Sequence, residues 1–109
     1  HITPDEIVTI IKDYIASNYC TNIRISMFAE KYFFSQEYLN KLFKNKYGFT
    51  IYEYVLKLRM ERAAELLAQP DIKISDIAER LGYADNHYFS KAFRNYYQLT
   101  PTEYRKGLG

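Results

Sequence analysis

The chain contains several stretches in which apolar residues recur every three to four positions, the period of an α-helix that is buried on one side. The longest stretch is 50–68, and its apolar positions are Ile51, Tyr54, Val55, Leu58, Ala63, Leu66 and Leu67. Thr50 and Glu53 are predicted to form a capping box at its start, since each side chain can accept a hydrogen bond from the other's backbone N–H. Pro70 ends the stretch, because proline disfavours helical geometry in the residue before it. The pattern therefore predicts a central helix of roughly 27 Å.

A second helix is predicted at the start of the chain. Thr3 is expected to cap it, Pro4 to take the first helical position and Glu6 to complete a capping box. The positions expected to be buried follow at helical spacing and are Ile7, Ile10, Ile11, Tyr14 and Ile15. The helix is expected to end near Asn18.

The segments on either side of the central helix repeat each other. Residues 25–44 begin with Ile-Ser and continue through Ala-Glu, a Tyr followed by a large apolar residue, and a closing Phe; residues 74–94 have the same order. The offset is 49 residues from Ser26 to Ser75 and 50 residues beyond the next turn, so the second turn is one residue longer. The capping box of the central helix also returns, at Thr100. Such a repeat predicts two copies of one supersecondary unit.

Each copy is predicted to fold as two helices joined by a tight turn. Ser26 and Ser75 are expected to cap the first helix of each copy, and Ser35 and Asp85 the second. Small and apolar residues at helical spacing indicate one buried face on each helix. The sequence thus predicts two helix-turn-helix units.

The two turns are expected to differ in geometry. Gly82 suits a turn that needs a positive φ angle, whereas the equivalent residue of the first copy is Phe33, which would be strained there. At the end of the second helix of the first copy, Gly48 is predicted to adopt the left-handed conformation.

The second helix of each copy has a polar outward face. With Leu39, Phe43, Phe89 and Phe93 buried, helical phase exposes Gln36, Glu37, Asn40, Lys41 and Lys44 in the first copy, and Asn86, His87, Ser90, Lys91 and Arg94 in the second. Amides can read adenine edges, lysine contacts guanine or phosphate, and glutamate accepts from cytosine N4. Any solvated helix is polar, but the repetition of this face in both copies favours nucleic-acid reading.

Composition changes this picture only slightly. The chain has 109 residues, 48% apolar and 26% charged, which is typical of one globular domain or two small lobes. The net charge is only +2, yet basic residues gather on the two predicted reading helices: Lys41, Lys44, Lys46, Lys91 and Arg94. Cys20 is the only cysteine, which excludes an intrachain disulfide and fits a reducing, intracellular setting. The seven Phe and twelve Tyr are expected to pack in cores and at their rims.

The sequence does not favour an enzyme. Ser35 and Ser90 have no base and acid partners at a recognisable spacing, and the chain has no Gly-rich phosphate loop. No cofactor and no metal site are expected. A helical module that docks a protein partner through the same polar faces is the alternative to DNA binding, and its affinity would depend weakly on salt.

Five segments carry a specific combination of residues. They are Ser35-x-x-Tyr38-Leu39-x-x-x-Phe43-Lys44 with Gly48, Arg59-x-x-x-Ala63-x-x-Leu66-Leu67, Ile77-Ala78-x-x-x-Gly82-Tyr83, Tyr88-Phe89-Ser90-x-x-Phe93, and Thr100-Pro101-x-x-Tyr104-Arg105. Together they resemble the DNA-binding domain of the AraC/XylS family of bacterial transcription regulators. The resemblance covers nearly the whole chain and departs at Phe33 and at Gln98, where the family usually has Gly.

The resemblance implies an all-α fold of about seven helices. Two helix-turn-helix subdomains, 1–49 and 70–109, would be joined by a linker helix at 50–69. Their recognition helices, about 36–46 and 86–96, would enter successive major grooves, which lie about 34 Å apart on one face of B-DNA. The base-contacting residues would be Glu37, Asn40, Lys41, Asn86, His87, Ser90 and Lys91. The DNA-backbone contacts would be Ser35, Gln36, Lys44, Lys46 and Arg94.

Some of these roles have alternatives. His87 would contact a base or a phosphate, or would be a surface histidine with no specific role. Glu37 would accept from cytosine or orient Lys41 one turn further on. Arg59 lies on the apolar side of the central helix and is expected to pair with a carboxylate, with a phosphate contact as the alternative.

The resemblance also implies partners for the protein. These are double-stranded promoter or operator DNA, RNA polymerase, and a sensor or receiver domain that precedes this segment, since the sequence begins at His1 instead of Met. No membrane is expected, because no apolar run approaches 18 residues. The expected location is the cytoplasm.

Overall fold

The computed structural model describes residues 2–108, and this part of the chain folds into seven α-helices without strands. The helices are α1 (Pro4–Asn18), α2 (Ile25–Tyr32), α3 (Gln36–Tyr47), α4 (Ile51–Leu67), α5 (Ile74–Arg80), α6 (Asn86–Tyr97) and α7 (Pro101–Gly107). The internal contacts form two compact units that divide between Lys57 and Leu58, within α4. The predicted all-α fold is confirmed, and α4 contributes residues to both units.

The first unit is built around α3, against which both α1 and α2 pack. Its buried apolar residues are Ile7, Val8, Ile11, Ile15, Phe28, Leu39, Phe43, Ile51 and Val55. The Phe43 ring lies 4.8 Å from the Tyr47 ring and 5.7 Å from the Tyr54 ring, measured between ring centres. Burial of each large apolar side chain stabilises the unit by about 1.5–3 kcal/mol. This packing fixes which side of α3 faces outward.

The second unit consists of the part of α4 that begins at Leu58 together with α5, α6 and α7. The buried residues here are Met60, Ala63, Leu66, Leu67, Ile77, Ala78, Leu81, Phe89, Phe93 and Pro101. Met60 is fully buried although it was not among the predicted apolar positions of α4, and Leu58, which was predicted to be among them, is only half-buried. The Tyr97 hydroxyl donates to the Met60 carbonyl at 3.0 Å. Burial raises the pKa of the Tyr97 phenol above its ordinary value.

Most of the predicted helix caps are present. The Ser35 hydroxyl accepts from the Tyr38 N–H and the Asp85 carboxylate from the Tyr88 N–H, both at 3.1 Å. Two of the three predicted capping boxes form, at Thr50–Glu53 and Thr100–Glu103, whereas the predicted box of α1 is only half formed. At the start of α1 the Thr3 hydroxyl accepts from the Glu6 N–H at 3.2 Å, while the Glu6 carboxylate accepts from that hydroxyl at 2.9 Å.

The expected caps at Ser26 and Ser75 are wrong. Helices α2 and α5 each begin one residue earlier than those serines, and their N-cap residues are Arg24 and Lys73, whose side chains make no cap hydrogen bond. A serine cap is worth about 1 kcal/mol. Burial of Phe28 on α2, and of Ile77 and Ala78 on α5, stabilises the fold by more than a serine cap would. We infer that this burial determines where the two helices begin.

Both turns begin in the same left-handed conformation, so the prediction that Phe33 would avoid this geometry is wrong. The second turn is nevertheless one residue longer between this position and the cap of the next helix, Ser35 or Asp85. Phe33 has a φ of 62° and Gly82 a φ of 90°. In both copies the N–H of the following residue donates to the carbonyl of an alanine in the preceding helix, at 3.1 and 3.0 Å. Phe33 is 93% exposed, so its ring contributes little burial to offset the strain of the left-handed backbone.

The recognition helices also end alike. Gly48 ends α3 with a φ of 85°, as predicted, and Gln98 ends α6 with a φ of 65°. Each N–H donates at 2.8 Å to a carbonyl four residues earlier, of Lys44 and of Arg94 respectively. The two units therefore have two equivalent left-handed positions each.

Candidate nucleic-acid interface

The outward faces of α3 and α6 have most of the polar and charged residues that the sequence predicted. Glu37, Lys41 and Lys44 are exposed on α3, and Asn86, His87, Lys91 and Arg94 are exposed on α6. The opposite sides of both helices carry the fully buried residues Leu39, Phe43, Phe89 and Phe93. Because packing fixes that inner side, the rotation of each polar face is determined by the core.

Asn40 is held differently from its neighbours on α3. Its side chain is half-buried, and its Oδ1 accepts a hydrogen bond from the Ile51 N–H at 3.2 Å. This bond joins the middle of α3 to the first turn of α4. The structure therefore gives Asn40 an intramolecular partner in addition to its place on a reading helix.

Ser90, the equivalent residue of α6, bonds within its own helix. It is half-buried, and its hydroxyl donates to Asn86 Oδ1 at 3.1 Å. Asn86 itself is exposed, so a base edge that approached the helix would compete for the same groups.

Lys46 is turned towards α1. Its Nζ lies 2.9 Å from the Asp5 carboxylate and donates to the Thr9 hydroxyl at 3.1 Å. It also lies 5.5 Å from the centre of the Tyr47 ring. The hydrogen bond to Asp5 raises the pKa of the Lys46 ammonium above its ordinary value. Lys46 therefore contacts α1, unlike Lys41 and Lys44, which belong to the outward face of α3.

Ser35 and Gln36 stand at the start of α3, where the positive end of the helix dipole favours anions. Ser35 caps the helix through Tyr38, and both Ser35 and Gln36 are exposed. The equivalent start of α6 is capped by Asp85. The anionic cap makes the start of α6 less favourable to a phosphate than the start of α3.

Two exposed tyrosines share the reading faces, although the aromatic residues were predicted to pack in cores and at their rims. Tyr38 is 42% exposed and Tyr88 is 59% exposed. The His87 ring stands edge-on to the Tyr88 ring, with 5.8 Å between ring centres. Helical phase was the available signal, since each tyrosine follows Glu37 or His87 by about 100° around the helix. The other aromatic residues that are exposed against expectation are Phe33, Tyr52 and Tyr96.

Asn45 and Asn95 extend the two faces towards the ends of the helices. Both are exposed, and they stand one turn beyond Lys41 and Lys91. The same residue type at the same place in both copies extends the two polar faces beyond Lys44 and Arg94, where the predicted faces ended.

Two arginines that carry the family resemblance have structural partners in the second unit. The Arg59 guanidinium lies 5.1 Å from the centre of the Tyr83 ring, which gives it an aromatic partner. Arg105 donates to the Leu67 carbonyl at 3.0 Å and to the Gln69 carbonyl at 3.1 Å, and thereby caps the end of α4.

Within residues 2–108, no group of three or more His, Cys, Asp or Glu side chains could hold a metal ion. None of the helices in the same range combines the length and the apolar character needed to cross a bilayer.

Known proteins share this fold and this sequence pattern. Residues 28–107 match a family model described as "Helix-turn-helix domain". The Msm operon regulatory protein of Streptococcus mutans is 37% identical over 98 residues, which cover 90% of this chain and 35% of that protein. The C-terminal domain of AraT, a response regulator from Geobacillus stearothermophilus, is 35% identical with a TM-score of 0.83, covering 93% of this chain and 84% of that one.

A further solved structure is described as an AraC-type regulator. This transcriptional regulator from Chromobacterium violaceum is 28% identical with a TM-score of 0.77, covering 94% of this chain and 92% of that one. The chain spans about a third of the length of the curated relatives it matches. With two helix-turn-helix units in order along most of its length, the chain belongs to the AraC/XylS family of bacterial transcription regulators, as the helix-turn-helix DNA-binding domain of such a regulator.

Proposed function

We propose that this domain binds double-stranded DNA sequence-specifically by placing α3 and α6 in successive major grooves. The observation that carries the proposal is the repeated presentation of a polar, partly basic face on two helices of 12 residues each. An α-helix fits the major groove, where base edges present a distinct pattern of donors and acceptors. Each face stands opposite a buried core, so its side chains can meet the bases in a fixed order.

Base reading falls to six side chains in this proposal. On α3, Lys41 donates to guanine O6 and N7, and Glu37 accepts from cytosine N4. On α6, Lys91 has the same part as Lys41, and Asn86, His87 and Ser90 supply the remaining donors and acceptors. Asn40 was expected in this set, but the hydrogen bond that it accepts from the Ile51 N–H supports a different role.

Phosphate contacts place the helices in register. Lys44 and Arg94 are equivalent, exposed and basic, and Ser35 and Gln36 offer polar groups at the start of α3. The hydroxyls of Tyr38 and Tyr88 can donate to the same strands. Lys46 is left out, because its ammonium is bonded to Asp5 and Thr9 on α1.

The recognised site is expected to be non-palindromic. The two reading faces differ in sequence and lie in tandem in one chain, whereas a two-fold operator mirrors a pair of identical readers. Two unlike half-sites, spaced by about one helical turn of DNA, are the corresponding expectation.

Selection of bound sequences from a random double-stranded library tests this function. The expected result is one asymmetric motif with two half-sites, bound with an affinity that falls steeply as salt rises, because neutralised phosphates release counterions. Binding without base preference, or protein capture that depends weakly on salt, would instead support the protein-docking alternative.

An insertion tests whether both helices must bind at once. Two alanines added after Glu61 would rotate everything beyond them by about 200° around the α4 axis and advance it by about 3 Å. Specific affinity should then fall towards the nonspecific level, while salt-sensitive nonspecific binding survives. An insertion variant that binds the full motif normally would contradict simultaneous engagement.

The full-length protein is proposed to be a cytoplasmic transcription regulator without enzymatic activity in this domain. Its partners would be promoter DNA, RNA polymerase and a further regulatory domain that precedes this one. Two observations support a further domain: the chain spans about a third of its curated relatives, and one similar structure is the C-terminal domain of a response regulator.

A further inference from the structure

The start of α4 uses three different acceptors for its backbone N–H groups, which have no carbonyl partner within the helix. The Thr50 N–H donates to Glu53 Oε1 at 2.8 Å, and the Glu53 N–H donates to Thr50 Oγ1 at 3.1 Å. The Ile51 N–H reaches outside the helix, to Asn40 Oδ1 on α3. Tyr52 is 71% exposed, so water can serve its N–H.

The acceptor on α3 is needed because Ile51 is buried. Only 1% of Ile51 is exposed, so water cannot replace Asn40 as the partner of that N–H. A buried donor without an acceptor is much more destabilising than an average hydrogen bond is stabilising. The hydrogen bond that Asn40 Oδ1 accepts therefore resists any rotation of α3 that would move this oxygen away from the first turn of α4.

The second unit supplies an internal comparison. Thr100 and Glu103 form the same capping box, but Pro101 stands where the first unit has Ile51. Proline has no N–H, so the start of α7 needs no acceptor from its recognition helix. Ser90 stands where the first unit has Asn40, and its hydroxyl donates to Asn86 instead.

We infer that Asn40 is a positioning residue, which ties α3 to the start of α4 and so fixes how Glu37 and Lys41 are presented to DNA, and that it does not read a base. Bidentate recognition of adenine needs the amide oxygen and nitrogen to face the same base edge. The bond to Ile51 orients Asn40 Oδ1 towards α4. The inference rests on the proposed DNA-binding function for its consequence, while the bond itself concerns the protein alone.

The two half-sites should therefore be read with different chemistry. In the first unit the carboxylate of Glu37 and the ammonium of Lys41 make the base contacts. In the second unit the amide of Asn86 also contacts a base. Asn86 is exposed, so DNA can replace the hydrogen bond that Asn86 accepts from Ser90. An amide-read adenine is expected in the half-site of α6 and not at the position of Asn40.

Thermal unfolding of the 109-residue chain without DNA tests the bond. Asn40→Ala should lower the folding equilibrium constant about tenfold or more, because the Ile51 N–H loses its acceptor. In an Ile51→Pro background, which removes the N–H, the same Asn40→Ala change should have almost no effect. Equal losses in both backgrounds would overturn the inference.

Two further variants keep the test decisive if Ile51→Pro fails to fold. Asn40→Asp retains an acceptor at the helix start and should keep the thermal midpoint close to that of the unchanged protein, unlike Asn40→Ala. Ser90→Ala is the matched control and should shift the midpoint much less, since its bond is made to an exposed side chain. Equal midpoints for Asn40→Asp and Asn40→Ala would contradict the role as an acceptor.

Sequence selection separates positioning from base reading. Asn40→Ala should weaken preferences across the whole first half-site, and adding it to Ile51→Pro should leave the selected motif the same as for Ile51→Pro alone. A loss of preference at one base pair in both backgrounds would identify Asn40 as a base reader and overturn the inference. If the unchanged protein selects no motif, the proposed function fails, while the thermal comparison still decides whether the bond exists.

Discussion

Each helix-turn-helix unit has two backbone positions with positive φ, and the two units divide glycine between them in opposite ways. The first unit has Phe33 in the turn and Gly48 after the recognition helix, whereas the second has Gly82 in the turn and Gln98 after the helix. A residue other than glycine in this region costs about 1–2 kcal/mol. Each unit therefore carries one strained position, and the same fold forms whichever of the two positions lacks glycine.

The units also differ in how the tyrosine at the end of the recognition helix is held. The Tyr47 hydroxyl oxygen lies 3.4 Å from the Thr9 hydroxyl oxygen, and the Lys12 ammonium lies 4.7 Å from the centre of the Tyr47 ring. Tyr97 donates to a backbone carbonyl of α4, at Met60. The first unit thus uses side chains of a separate helix for this contact, while the second uses the main chain of the helix that both units share.

The largest expected effect comes from equivalent core positions beneath the two recognition helices. Leu39 and Phe89 are both fully buried. Leu39→Ala should lower the free energy of unfolding by roughly 2–5 kcal/mol and Phe89→Ala by roughly 3–5 kcal/mol, because each leaves a cavity that the packed helices cannot fill. Thermal and urea unfolding measure both losses. An unchanged midpoint in either variant would show that the helix is rotated from the orientation described.

A smaller effect is expected from the equivalent lysines. Lys41→Ala and Lys91→Ala should each weaken specific binding by roughly 1–3 kcal/mol and relax the preference in one half-site only. Sequence selection with each variant measures this. Lys46→Ala is the matched control, since its ammonium is bonded to Asp5, and it should leave base preference unchanged. Equal weakening on specific and random DNA would make Lys41 or Lys91 a phosphate contact.

The left-handed positions should respond in opposite directions. Phe33→Gly and Gln98→Gly should each stabilise the fold by up to about 1 kcal/mol, because relief of backbone strain exceeds the added freedom of the unfolded chain. Gly48→Ala and Gly82→Ala should destabilise it by about 1 kcal/mol; at Gly48 strain alone acts, since a Cβ would meet nothing within 4 Å. The gain at Phe33 should exceed that at Gln98, whose side chain donates to the Asn95 carbonyl. Chemical denaturation of the four variants checks the signs.

The smallest effect concerns the two capping boxes, which should behave alike. Hydrogen bonds from the Thr50 and Thr100 backbones lower the pKa values of Glu53 and Glu103 below the ordinary value of 4.5. A carboxylate whose pKa is lower in the folded state stabilises the fold at pH values above its ordinary pKa. That contribution is lost as the pH falls through the lowered folded-state pKa. Glu53→Gln and Glu103→Gln should therefore each flatten the stability profile below pH 4.5. A clear difference between the two slopes would show that the boxes are not equivalent.

Local signals predicted much of the fold. Some features depend only on residues a few positions apart, so their partners can be identified from the sequence. They are the capping boxes at Thr50 and Thr100, the caps at Ser35 and Asp85, and the left-handed Gly48. The buried faces of α3 and α6 followed from helical periodicity for the same reason.

The errors arose where a distant partner decided the outcome. The acceptor role of Asn40 depends on the first turn of α4, and the orientation of Lys46 depends on Asp5 of α1; neither partner is identifiable from local spacing. Phe33 adopts a left-handed φ because the packing of α2 against α3 overrides a local preference worth 1–2 kcal/mol, roughly. Ser26 failed as a cap because tertiary burial set the start of its helix.

Because α4 has residues in two cores, cutting the chain at the boundary between the units should destabilise them. Joining units of two related proteins at this boundary should preserve both cores. A fragment that ended at Lys57 would keep only the first part of α4, and helices shorter than about 12–15 residues are marginal on their own. A chimaera joined at Leu58 would instead transfer a foreign recognition helix together with the stretch of α4 that supports it, including the carbonyl that Tyr97 contacts. Natural recombination and laboratory design of new operator specificities should both favour junctions inside this helix over junctions in the loops around it.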